Sequence, residues 1–118
     1  MDQIAKNLHN QAESFYYSIN EGYFDNDKFK KLTNSIYSLN SRSINRLARL
    51  EKSIELWELG FSIQRLLTNH FDKKDAFKIS NLNDKQICQL SQVIYYLCNW
   101  FSYNKKMEKK YLDLDSWL

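Results

Sequence analysis

The sequence predicts an all-α protein, a compact bundle of four to five helices around a long central helix. Three observations carry this. Apolar residues recur in steps of three and four along nearly the whole chain, which is helical periodicity. There is no proline and there are only two glycines, Gly22 and Gly60, so little in the chain interrupts a helix. No segment alternates apolar and polar residues for long enough to make a strand. With 118 residues, 43% of them hydrophobic and 26% charged, the chain is one domain's worth and can bury a core without metal or disulfide support.

The first stripe is Ile4, Leu8, Ala12, Phe15 and Ile19, read as one helix that ends near "NEGYF", where Gly22 can take the left-handed conformation. Asp25 or Asn26 caps a second helix with the stripe Phe29, Leu32, Ile36 and Leu39. The polar stretch "NSRS", residues 40–43, breaks the pattern, with Ser41 or Ser43 as the next cap; a single helix running through it is the alternative. The third helix carries two stripes. Leu47, Leu50, Ile54, Trp57 and Phe61 make one; Leu56, Leu59, Ile63, Leu67 and His70 make the other. At ~100° per residue the two point nearly opposite ways, the mark of a central helix packed on both sides. Leu50 is therefore expected in the core. Gly60, where the stripes trade places, either kinks this helix or admits a close neighbour.

"DKKD", residues 72–75, ends the central helix. Then Asn83 and Gln86 form a capping-box pair, with Leu82 and Ile87 at staple spacing. The last helix follows with Ile87, Leu90, Ile94, Leu97 and Phe101 as core and is expected to run on towards "KKMEKK". Residues 111–118, "YLDLDSWL", form an acidic, aromatic tail.

Composition narrows function by exclusion. No apolar run approaches the ~18–20 residues that span a bilayer, and the start has no secretory pattern. Cys88 and Cys98, ten apart on one helix, stand ~15 Å apart, too far for a disulfide. Two reduced thiols and no export signal predict a cytoplasmic protein. Two histidines and no ligand-spaced cluster predict no metal site, and nothing in the chain asks for a cofactor. There is no Gly-rich phosphate loop and no GxSxG. The net charge of +3 is mild for a nucleic-acid binder.

One stretch carries possible chemistry. "RLLTNH", residues 65–70, resembles the R-x4-H motif of HEPN ribonucleases, which are also small all-α domains. The resemblance implies that Arg65 and His70 would act together on a scissile phosphate, generally across a dimer interface. The match rests on Arg65 and His70 alone, and Leu66 stands where the family usually has a polar residue. On one continuous helix the two side chains point ~140° apart. His70 shares a face with Leu59, Ile63 and Leu67, so the preferred reading is a helix-end histidine and no catalytic residue.

Two features suggest a binding surface. Arg42, Arg46, Arg49 and Lys52 fall at i, i+4, i+7 and i+10 and form a basic ridge on an expected open flank, which is either a solvated face partly neutralised by Glu51 and Glu55, a contact for an acidic protein surface, or the nucleic-acid contact of a small regulator. The tail offers Asp113, Asp115 and Trp117, either folded back on the bundle or reaching a partner with Trp117 as anchor. A small cytosolic domain without a defensible active site, rich in Asn, Lys, Ile, Ser and Tyr, has the look of an A/T-rich bacterial or phage genome. By class-level analogy the expectation is a non-catalytic immunity or antitoxin-type protein whose partner is a cognate protein toxin, for example of a contact-dependent growth inhibition system.

Overall fold

The first element of the fold is set by a side chain. Asp2 accepts from the Ala5 backbone N–H and so caps α1, Gln3–Leu8. The computed structural model describes residues 2–108 and 110, and all its regular elements are helices. Each later helix also begins on a capping side chain: Ser14 for α2 (Phe15–Asn20), Asp25 for α3 (Asn26–Ser41), Asn45 for α4 (Arg46–Phe71) and Asn83 for α5 (Asp84–Ser102). At α5 the box is complete, since Gln86 also accepts from the Asn83 N–H.

The predicted class, a helical bundle with a long central helix, is what forms. α4 packs chiefly against α5, and α1 and α2 also lie on it. The core runs through Ile4, Phe15, Ile19, Phe29, Leu32, Ile36, Leu59, Ile63, Ile87, Leu90 and Phe101, all but sealed from solvent. Phe15, Phe24 and Phe29 meet in a cluster with ring centroids 4.8–5.6 Å apart.

Four local expectations are corrected. The first helix is two. Asn10 takes a left-handed φ of 53°, and the chain restarts on Ser14. The buried Asn7 amide holds the two pieces together by accepting from the Tyr16 N–H and donating to the Gln3 carbonyl. The break after α3 is real, but the cap of α4 is Asn45 rather than Ser41 or Ser43. α5 stops at Ser102, because Asn104 turns left-handed and Lys105 bonds back to Trp100. The fourth correction concerns α4, which among the described residues is not packed on both sides: the stripe containing Leu50 faces outward. Replacing Leu50, 56% exposed, with alanine should therefore change stability by under ~1 kcal/mol, whereas Ile94→Ala at a buried position should cost ~2–5 kcal/mol. Paired urea titrations of the two variants check this; equal losses would put the register of α4 in error.

α4 runs through Gly60 without a break. A Cβ there would stand 2.9 Å from the Cys98 sulfur, so the glycine is what lets α5 approach. The connection between α4 and α5 is irregular but anchored. The Ile79 N–H donates to His70 Nδ1, and Ile79 and Leu82 are buried. Asn81 donates to and accepts from the Phe24 backbone, while Ser80 donates to the Gly22 carbonyl through both its N–H and its hydroxyl.

Candidate functional site

One turn of α4 shows how the site arises. At ~100° per residue, Leu56, Leu59, Ile63 and Leu67 gather on the face turned to the core. Leu47, Leu50, Ile54 and Phe61 gather on another, and all are more than half exposed, Phe61 most at 67%. Trp57 lies between the two faces, half-buried, with ring contacts to Phe61 and to Tyr95 of α5. Tyr95 and Tyr96 are themselves exposed and extend the apolar face across onto α5.

Between the two helices this face is hollowed. A recess of about 490 Å³ lies among Trp57, Phe61 and Gln64 of α4 and Ser91, Tyr95 and Tyr96 of α5, with Gly60 at its floor. A second, of about 440 Å³, is lined by Arg46, Leu50, Ile54, Trp57, Ser102 and Tyr103. A third, of about 300 Å³, includes Gln64, Thr68, Phe71, Cys88 and Gln92. Trp57 lines the first two and Gln64 the first and third, so the three are one furrow along the α4–α5 seam. Polar bonds pin its walls. The Trp57 indole N–H donates to Ser102 Oγ at 2.6 Å, Gln64 donates to the Ser91 carbonyl at 2.8 Å, and the Ser91 hydroxyl donates back to Gln64.

The basic ridge is divided. Arg42 and Arg46 are exposed, and their side chains make no hydrogen bond or ion pair among the described residues. Arg49 turns inward. Its guanidinium donates to Asn40 Oδ1 and to the Phe101 carbonyl and lies 4.8 Å over the Phe101 ring, so it ties the ends of α3 and α5 to α4. Lys52 is paired with Asp2 at 2.6 Å and Glu55 at 3.2 Å. The bond to Asp2 holds the Lys52 pKa above its ordinary value against the opposing effect of burial. Burial works against ionising Asp2, but Lys52 and the Ala5 N–H outweigh it, and the carboxyl sits below its ordinary range. Asp113, Asp115 and Trp117 lie outside the described residues.

Arg65 and His70 are not brought to one face. Arg65 is exposed. The His70 side chain is 9% exposed, with Nδ1 accepting from the Ile79 N–H at 2.9 Å and Nε2 3.5 Å from the Asp84 carboxylate. Both ring nitrogens serve the α4–α5 connection. Cys98 is buried beside Gly60, and burial pushes its thiol up to about 12, far from a reactive thiolate. Cys88 is exposed at the furrow's end, and neither cysteine is in a disulfide. Among the described residues no group of three or more His, Cys, Asp or Glu is placed to hold a metal ion, and no helix is long and apolar enough to cross a membrane.

No family model matches the chain, and neither a curated protein nor a solved structure matches it. The site therefore stands on its own geometry. Reading the sequence located α4's outward stripe but assigned it to the core, and missed Tyr95 and Tyr96. Both tyrosines lie off the Ile87–Leu90–Ile94–Leu97–Phe101 stripe, which was the available signal that they face out.

Proposed function

We propose that the protein is a non-catalytic protein-binding module of the immunity or antitoxin type, which binds one cognate toxin and blocks it. The observation that supports this best is the exposed, contiguous apolar face of Leu47, Leu50, Ile54, Trp57, Phe61, Tyr95 and Tyr96. Scattered exposed leucines need no explanation, but a continuous face with aromatic side chains marks a contact surface. Trp57, Phe61 and the tyrosines are the residue types that anchor protein interfaces. Arg42 and Arg46 stand open at one end, where they can steer an acidic surface into place. Inhibition would follow from covering the toxin's active site or substrate channel. The choice of a toxin as partner rests on the class-level analogy drawn from composition, and contact-dependent growth inhibition systems supply the nearest example.

The test is co-expression with a toxin domain encoded beside this gene. A tight one-to-one complex and protection of the cell are expected. Phe61→Glu should weaken that complex by at least ~2 kcal/mol, roughly thirtyfold, while thermal stability holds, because the side chain is exposed. Arg42→Glu with Arg46→Glu should slow association. If no neighbouring toxin binds, or if the purified protein cleaves RNA and His70→Ala abolishes that cleavage in a folded variant, the proposal fails.

A further inference from the structure

We infer that the α4–α5 furrow receives an amphipathic α-helix of the partner protein, laid along α4 with acidic side chains at the Arg46 end. This rests on the protein-binding reading above and adds the partner's secondary structure and the polarity of its contact.

Spacing argues for a helix. Leu47, Leu50, Ile54, Trp57 and Phe61 follow one another at intervals of three, four, three and four, the seam of a coiled coil. Layers along such a seam rise by ~5.2 Å, half a heptad at ~1.5 Å per residue. A second helix presents its own apolar layers at the same rise and stays in step from end to end. An extended strand presents same-face residues every ~6.6–6.8 Å and falls out of step within a few layers. The hollows repeat the argument. Trp57 separates the second from the first and Gln64 the first from the third, and these boundaries are one heptad, ~10.5 Å, apart. Partner side chains one heptad apart drop into consecutive hollows, the recognised way in which a helix is held in a groove.

Charge sets the polarity. Among the described residues, the only charged side chains lining the three hollows are Arg46 and Arg49, both at the end nearest the start of α4. Arg49 already spends donors on Asn40 and the Phe101 carbonyl, which leaves Arg46 as the open cation. The middle and far hollows offer only neutral polar groups, Gln64, Ser91, Gln92 and Thr68, beside the aromatic and aliphatic walls. A helix that carries acid over Arg46 and apolar residues beyond it leaves no charge buried without a partner; one that carries lysine there sets like charges together.

The probe is a pair of synthetic helical peptides of about five turns, ~18 residues, with leucine and phenylalanine in steps of three and four. One carries two glutamates at one end and the other two lysines in their place. Fluorescence anisotropy against the whole protein should give micromolar binding for the acidic peptide and binding about tenfold weaker for the basic one. Arg46→Glu should reverse that order, and Ile54→Glu should abolish both. Each substitution is at an exposed position, so unchanged circular dichroism and melting should accompany them. The inference is overturned if neither peptide binds up to millimolar concentration, if Ile54→Glu leaves binding intact, or if charge at the peptide end makes no difference. It is also overturned if sedimentation shows the protein dimerising through this stripe, with Ile54→Glu restoring the monomer, since a second copy is then the occupant. Toxin binding that survives Ile54→Glu defeats this inference and leaves the proposed function standing; absence of any toxin partner defeats the function itself.

Discussion

Phe29→Ala should cost about 3–5 kcal/mol, the range for removing a fully buried aromatic side chain. Phe29 has no solvent exposure and touches both Phe15 and Phe24, with ring centroids 4.8 and 5.6 Å away. These three rings come from α2, from the connection after it and from α3, so alanine opens a cavity where three segments converge. The surroundings cannot collapse into it without moving α2. Set against the ~5–15 kcal/mol that holds a typical domain folded, the loss is a large fraction of the whole. The midpoint of urea unfolding measures it. A loss under ~1 kcal/mol would mean that the aromatic cluster is not a closed core.

Gly22→Ala should be nearly as damaging, at ~2–4 kcal/mol, for reasons of backbone rather than volume. Gly22 adopts φ +86°, where a Cβ is strained, and that Cβ would lie 2.6 Å from the Lys78 carbonyl oxygen. The carbonyl belongs to the segment that Ser80 and Asn81 stitch to residues 22–24, so it cannot retreat without breaking those bonds. Loss of protection from hydrogen exchange at the Ser80 and Phe24 amides would accompany the drop in stability. A variant as stable as the parent, with those amides still protected, would show that the close approach is not needed.

What the sequence disclosed was whatever its neighbours in the chain decide. Asn83 and Gln86 were legible as a cap because both halves of the capping box lie within four residues. Gly22 was legible because a left-handed turn after a helix asks for glycine. The division between α1 and α2 was not legible. Phe15 keeps the three-and-four spacing across the break, and the break depends on Asn7 reaching the Tyr16 amide and on the left-handed Asn10. Among the candidate contact residues the pattern is the same. Arg42 and Arg46 remain open, whereas Arg49 is claimed by Asn40 and by Phe101, which is 52 positions away, and Lys52 by Asp2. Periodicity marked both apolar stripes of α4 without distinguishing them, because which stripe is covered depends on where α1, α2 and α5 come to rest.

The two faces of α4 also answer to separate demands. Leu56, Leu59, Ile63 and Leu67 are held to their volumes by close-packed neighbours, so few substitutions are tolerated there. Leu47, Leu50, Ile54 and Phe61 are more than half exposed, so exchanging them disturbs the scaffold far less. A lineage can therefore rewrite its outward stripe by single substitutions without first acquiring a compensating change in its interior. The same separation makes α4 a practical chassis for retargeting: four positions can be randomised together on a helix whose own stability is set elsewhere.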